Sequence, residues 1–332
     1  MTAPDTARPL VSVIMANFRG AAHLEAAMRA VLAQSERRLE LILADDASDD
    51  DSVAIARAVA EGDGRVRVIA SARNGGPAAT RNLALDAARG DWIAIVDSDD
   101  LIHPERLARL VAAAEAAGAD LVADDLVHFG APAEGGRTLL QPLALAAPMW
   151  LGPAPYLRAN GGDPALPAFG YLKPVIRRAA LGSRRYDPAL RIGEDYDLVL
   201  RLLIEGARFL LLPDPLYAYR RHAGSISHRL SVGTVEAMLA AHRALPRLAD
   251  PAMVPRLLES LRDRRRRKAA AAQVPDVPVP SGPLPGLPPP GQPWDSPPAP
   301  VAGRVAATGV LPPGAPGWAL WLVQATAGAS AG

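Results

Sequence analysis

Two acidic clusters hold the residues best suited to chemistry. Asp45-Asp46 follows an apolar, β-rich run at 39–44, and Asp97-Ser98-Asp99-Asp100 follows another at 92–96. Carboxylates packed this closely repel one another, so a cation or hydrogen-bond donors must balance them. A hard divalent ion, Mg2+ or Mn2+, would do so. Such ions prefer oxygen ligands and usually share one or two carboxylates with substrate phosphates. The competing reading is a solvated Asp-rich turn that caps a helix: the one at Pro104 for the second cluster, and one after Ser48 and Asp49 for the first. A third acidic stretch, Gly193-Glu194-Asp195-Tyr196-Asp197, opens a predicted helix. There the charges could simply favour the helix N-terminus, by roughly 0.3–1 kcal/mol each. Gly75-Gly76-Pro77 also opens a helix, so its N–H groups could face an anion, although a plain helix-entry turn fits equally. No Lys follows at the spacing of a phosphate-binding loop.

Two alternating periods predict the elements that must position these clusters. Apolar runs at 10–15, 39–44, 66–69, 92–96 and 121–123 alternate with Ala-rich amphipathic stretches at 22–33, 52–60, 77–88 and 104–117. Near-continuous apolar strands separated by helices predict a parallel sheet covered on both faces. Both Asp clusters then sit at the carboxyl ends of parallel strands, where open α/β sheets bind their ligands. The helix at 104–117 has Pro104 in its first turn and Gly118 at its end. Residues 130–170 are rich in Gly, Pro and Ala without a sustained period, which predicts a long irregular region, a lid or acceptor loop. A further helix is expected over 194–205, with Leu198, Leu202 and Leu203 buried and Gly206 as its stop. Two more helical stretches are expected at 234–245 and 254–268. Fifteen of the 33 prolines fall between Pro275 and Pro316. That composition cannot pack a core and predicts disorder or polyproline structure. The plan is a large domain over 1–228, a helical region over 229–272 and a Pro-rich tail over 273–332.

Composition narrows the function. The 332 residues are 49% hydrophobic, ample for a large α/β core. The net charge is +1, from 36 basic and 35 acidic residues. No nucleic-acid partner is expected, since that needs a basic field. The absence of cysteine excludes a disulfide framework and a thiolate site, and fits a reducing cytoplasm. The N-terminus contains Asp5 and lacks an apolar run with a cleavage site, so no signal peptide is expected. The apolar run at 318–323 is far short of the roughly 20 residues a bilayer span needs.

Five motifs in order resemble glycosyltransferase family 2. Val11-Ser12-Val13-Ile14-Met15-Ala16-Asn17-Phe18 is similar to its opening strand, and Leu43-Ala44-Asp45-Asp46-Ala47-Ser48-Asp49-Asp50 to its strand-two acidic motif. Asn74-Gly75-Gly76-Pro77-Ala78-Ala79-Thr80-Arg81-Asn82 resembles its Gly-rich loop and Arg-Asn pair. Asp97-Ser98-Asp99-Asp100 resembles its Asp-x-Asp motif, and Gly193-Glu194-Asp195 its Glu-Asp motif. The resemblance covers roughly residues 9–228 and implies a Rossmann-like nucleotide-binding sheet, the A-type glycosyltransferase fold. Its nucleotide-binding half would be 9–125 and its acceptor half 126–228. The stretch Gly170-Tyr171-Leu172-Lys173-Pro174-Val175-Ile176-Arg177-Arg178, with the Glu-Asp motif, is also similar to succinoglycan-type glucosyltransferases.

The resemblance implies roles residue by residue. Asp46 would hydrogen-bond the base of the donor nucleotide, and Ala16 would line that pocket through its backbone. Arg81 would approach the base or diphosphate; the alternative is a solvated helix-face arginine. Asp97, with Ser98 beside it, would contact the ribose or the metal's shell. Asp99 would ligate the metal, while Asp100 could instead cap the following helix. Tyr219-Arg220-Arg221-His222 resembles a late family motif, in which Arg220, Arg221 or His222 would brace the leaving diphosphate; exposed charges after a final strand are the alternative. Asp195 would be the general base, with Glu194 orienting the acceptor. His23, His103, His128, His228 and His242 show no ligand spacing and are assigned no role.

The implied activity is inverting, metal-dependent hexosyl transfer from a nucleotide-diphosphate sugar, with UDP expected, to a saccharide or lipid-linked saccharide acceptor. The implied setting is cell-envelope or exopolysaccharide assembly, in the cytoplasm or at the inner face of the membrane. The run from Arg262 to Lys268 reads as a solvated helix end, with contact to anionic lipid as the alternative. Two rivals remain open. A sugar nucleotidyltransferase would carry a Gly-rich basic loop where Ala16-Asn17-Phe18-Arg19-Gly20 stands. A catalytically inactive scaffold would recruit partners through the tail, but has no need of Asp97, Asp99 and Asp195 together.

Overall fold

The computed structural model describes residues 10–130, 138–160 and 163–222, together with 237, 238, 240 and 241 of a further helical stretch. The predicted alternation is present. Strands β1 (Val11–Asn17), β2 (Leu39–Asp45), β3 (Val66–Ala70) and β4 (Trp92–Ile95) alternate with helices α1 (Ala21–Leu32), α2 (Ser52–Gly62) and α3 (Pro77–Ala87). There follow β5 (Leu101–Ile102), α4 (Arg106–Ala117), β6 (Leu121–Gly130), β7 (Met149–Leu151), α5 (Pro153–Asn160), β8 (Val175–Arg177), α6 (Arg178–Leu181), α7 (Glu194–Ile204) and β9 (Phe209–Arg221).

The strand sequences explain the two-sided core. Side chains alternate across a sheet, and here both sides are apolar. Val11, Val13 and Met15 of β1 pack with α1, α2 and α4 on one face. Ile14 joins Ile42, Ala44, α3, α5 and α7 on the other. Leu198, Leu202 and Leu203 of α7 are buried as expected, and Gly206, with φ +97°, follows the helix end. Gly118 closes α4 in the left-handed conformation, φ 64°, the usual helix stop.

The expected parallel sheet is present, with antiparallel strands added to it. Its nine strands run β3-β2-β1-β4-β8-β6-β9-β5, with β7 on β9. β3, β2, β1 and β4 form one parallel block. β8 then inserts antiparallel to both β4 and β6, and the 13-residue β9 runs parallel to β6. Residues 130–170 are less irregular than expected, because β7 and α5 lie within them. Of the helix expected at 234–245, residues 237, 238, 240 and 241 are helical. The helix expected at 254–268 and the tail at 273–332 lie outside the described residues. Among the described residues, no helix is long and apolar enough to cross a membrane.

Candidate active site

The carboxyl ends of β1, β2 and β4 form one edge, and its acidic residues take different partners. Asp45 accepts from the Asn17 side chain (2.8 Å) and from Ser48 N and Oγ (2.8 and 2.6 Å). It therefore ties β1 to the turn after β2. Asp46, also buried, accepts from the amides of Gly75 (2.7 Å) and Gly76 (2.8 Å). The anion that these helix-entry amides face is thus the chain's own Asp46. Gly76 sits at φ +85° as the cap of α3, with Pro77 in its first turn. A left-handed φ there suits only glycine at low strain. Ala16 is half-buried at the end of β1, level with Ala44. Ser98 lies close by: a Cβ on Gly20 would meet its Oγ at 3.4 Å.

Arg81 is not a solvated helix-face residue. It projects from α3 into the interior and is 7% exposed. Its Nη1 donates to Glu194 Oε1 (2.5 Å) and its Nη2 to Asp97 Oδ1 (2.8 Å), with Asp195 Oδ2 at 3.8 Å. Lys173, just before β8, is the second buried cation. Its Nζ lies 2.7 Å from Asp97 Oδ2 and 2.8 Å from Asp195 Oδ2. Two cations therefore hold three carboxylates that come from the end of β4 and the start of α7.

The electrostatics follow from that arrangement. Burial pushes the Asp97 carboxyl up, but Lys173 and Arg81 outweigh it and hold Asp97 well below the usual carboxylate range. Burial opposes the charge on Lys173, yet Asp195 and Asp97 keep its ammonium protonated well above its ordinary value. Glu194 is raised by burial, with Arg81 opposing and Asp195 adding to the rise. Asp195 Oδ1 is buried and has no hydrogen-bond partner among the described residues, while its other oxygen holds Lys173. Gly193 sits at φ +85°, and a Cβ there would meet Met238 Cε at 2.9 Å.

Strand β9 brings the late motif to the second cluster. Asp99 Oδ2 lies 2.9 Å from His222 Nε2, with side chains 30% and 36% exposed. Arg220 Nε donates to the Asp99 carbonyl (2.7 Å), and its guanidinium lies over Phe129, 4.4 Å from the ring centroid. Arg221 ends β9 opposite Gly130 of β6. His23 of α1, given no role from sequence, packs edge-on to the His222 ring. Asp100 does not cap the following helix. It is buried and accepts from Tyr217 Oη (2.7 Å) and Arg220 N (2.6 Å), fastening the Asp-rich turn to β9. Burial, then Asp99 and Asp97, push its carboxyl well up.

The donor set fits a divalent ion only in part. Asp99 with His222 offers one oxygen and one nitrogen at the partly exposed mouth, which suits a hard ion whose shell is completed by phosphate oxygens. Asp97 was expected to share that ion. Its two oxygens instead face Arg81 and Lys173, so Asp97 serves the ion-pair network. Among the described residues, no group of three or more His, Asp or Glu gathers to hold a metal. Sequence reasoning missed Lys173 and Tyr217. Lys173 lay inside a recognised stretch, but its role depends on the antiparallel β8, which periodicity did not reveal.

Comparison with known proteins places this geometry in a family. Residues 12–174 match the model described as Glycosyl transferase family 2. The succinoglycan biosynthesis protein ExoO of Rhizobium meliloti is 37% identical over 241 residues, 72% of this chain and 68% of that protein. ExoU of the same organism, also named for succinoglycan biosynthesis, is 34% identical over 66% of this chain and 65% of its own length. The matches therefore span about two thirds of each relative. The crystal structure of S. aureus TarS 1-349 in complex with UDP-GlcNAc has a TM-score of 0.62 at 19% identity, covering 80% of this chain and 76% of that one. The expected A-type glycosyltransferase fold is present.

Proposed function

The chain belongs to glycosyl transferase family 2, and on that premise we propose that it inverts configuration while moving a hexosyl group from a UDP-sugar to a saccharide or lipid-linked saccharide hydroxyl. The observation that carries the reading is Asp195. It offers one buried carboxylate oxygen with no described partner, while Lys173 holds the other. A carboxylate so arranged can accept a proton from an acceptor hydroxyl. The relatives' names support a setting in exopolysaccharide assembly, in the cytoplasm or at the inner face of the membrane, with the catalytic unit ending near residue 228.

Each part of the edge then has a task. Asp46 and Ala16 frame the base, Asp46 doing so while fixing the Gly75-Gly76 loop. Asp97, while paired with Arg81 and Lys173, lies with Ser98 beside the ribose. Arg220, Arg221 and His222 brace the diphosphate, where negative charge grows. The acceptor oxygen attacks the anomeric carbon from the side opposite the diphosphate. The bond to the diphosphate oxygen breaks with its electron pair, and the hydroxyl proton passes to Asp195 Oδ1. Glu194, anchored by Arg81, orients the acceptor. A bound Mg2+ or Mn2+, held by Asp99 with His222 beside it, would supply positive charge to the departing diphosphate.

The test is Asp195→Asn. The amide keeps the shape but cannot take the proton, so donor affinity by calorimetry should hold while transfer falls on the order of 10² to 10⁴. Turnover within about threefold of wild type, too small a loss for a general base, would refute the assignment. Release of nucleoside diphosphate, and not pyrophosphate, is expected throughout.

A further inference from the structure

We propose that Lys173 is the positioning residue for the base: among the described residues it is the cation hydrogen-bonded to Asp195, so its loss disables transfer while leaving the donor subsite formed. The inference rests on Asp195 being the base. Its ground is an asymmetry in the ion-pair network. Asp97 has two close cationic partners, Lys173 Nζ at 2.7 Å and Arg81 Nη2 at 2.8 Å. Asp195 has one, Lys173 Nζ at 2.8 Å, because Arg81 stands off at 3.8 Å. Arg81 is not free to move across, since its other nitrogen is bound to Glu194 at 2.5 Å.

Lys173 is itself rigidly held. Its side chain is 6% exposed. Its carbonyl accepts from Arg106 Nη2 (2.5 Å), and Arg106 is fully buried in a bidentate pair with Asp124. Tyr217 lies 4.8 Å beneath the Arg106 guanidinium, and its hydroxyl receives the Asp97 amide at 3.1 Å. The ammonium therefore sits at a fixed point between the end of β4 and the start of α7. With Asp195 bound through Oδ2, Oδ1 is left buried and without a hydrogen-bond partner among the described residues. Without Lys173, Asp97 keeps Arg81 at 2.8 Å, whereas Asp195 loses its one hydrogen-bonded cation among the described residues and keeps only Arg81 at 3.8 Å, which leaves its carboxylate freer to rotate.

The experiment compares Lys173→Met, Lys173→Arg and Asp195→Asn in the full chain. Each is measured for UDP-sugar affinity by calorimetry, for kcat and acceptor KM, and for melting temperature. Lys173→Met should keep donor affinity within about threefold while kcat falls about a hundredfold, the scale of a misplaced reacting group. Lys173→Arg should recover part of kcat, because a guanidinium still donates to both carboxylates. A purely structural lysine would lower donor affinity and kcat together, in step with melting, and that result overturns the proposal. If Lys173→Met does not fold, the judgement passes to Lys173→Arg: wild-type kcat there supports the proposal, and equal losses in affinity and kcat overturn it. If Asp195→Asn loses turnover but Lys173→Met does not, the positioning role fails alone. If Asp195→Asn turns over normally, the base assignment itself has failed.

Discussion

Arg81→Met removes the cation that joins the two halves of the site. Arg81 reaches from α3 to Glu194 on α7 and to Asp97 after β4. Its loss leaves Glu194 buried without its one side-chain partner and leaves Lys173 to balance three carboxylates. Breaking a buried ion pair by removing one partner costs about 3–5 kcal/mol. For a domain of this size, each kcal/mol lowers the melting temperature by ~2–4 °C, so a fall of ~6–20 °C is expected. Arg81→Lys should recover only part, because one ammonium cannot serve both acceptors through a fork. The double variant Arg81→Met/Glu194→Met should melt above Arg81→Met, since an apolar pair replaces an orphaned charge. Neither should restore transfer. Scanning calorimetry at pH 7 reads the stability, and nucleoside diphosphate release reads the activity. A melting temperature for Arg81→Met within about 1 °C of wild type, well under the shift expected from ~1 kcal/mol, would mean that the pairs contribute nothing and that the reasoning is wrong.

Three further outcomes are expected. Tyr217→Phe leaves the Asp97 amide and the Asp100 carboxylate short of a partner, so it should cost about 1–3 kcal/mol in a denaturant titration; an unchanged midpoint would argue against the lock between β9 and the Asp-rich turn. Burial pushes the Asp125 carboxyl up to about 7, against hydrogen bonds from Thr138 and the Leu140 and Leu126 amides. The folded state thus binds that proton more tightly than the unfolded chain. The stabilisation is full below the unfolded value and is lost as pH rises to about 7, at up to about 1.4 kcal/mol per pH unit; Asp125→Asn should remove that slope, and its persistence would assign the slope elsewhere. Asp99→Asn should weaken Mn2+-dependent donor binding and slow transfer roughly a hundredfold or more; near-normal turnover with an unchanged metal requirement would rule out Asp99 as the ligand.

What could be read from sequence was what local periodicity encodes. Apolar alternation placed β1 to β4 and the helices between them, and Leu198, Leu202 and Leu203 marked the buried side of α7. The acidic turns followed from their position after strands. The partners of those carboxylates were not legible, because they depend on long-range pairing. Asp46 reads from sequence only as a ligand contact, and its second task, accepting from the Gly75 and Gly76 amides, depends on the fold. Asp100 reads as a helix cap until β9 brings Tyr217 beneath it. Arg81 sits among alanines on a short helix and reads equally well as solvated. Only its pairing with Glu194 at the start of α7 and with Asp97 after β4 shows that it points inward.

The antiparallel insertion of β8 accounts for the largest omission. β4 and β8 pair with Ala94 opposite Val175 and Trp92 opposite Arg177. Going forward along β4 is therefore going backward along β8, and the residues just before Val175 lie beside those just after Ala94. That register sets Lys173 level with the start of the Asp97 turn, at the ligand-binding edge of the sheet. Had β8 run parallel to β4, the residues before it would fall at the opposite edge, with the loops that enter the strands. Lys173 could not then reach Asp97. The reversal thus does chemical work: it carries a cation from the segment after β7 and α5 to the carboxyl edge of β4, where Asp97 and Asp195 share a single ammonium. A one-residue insertion between Lys173 and Val175 would shift that level by about 3.3 Å, beyond the reach of a hydrogen bond made at the present distances.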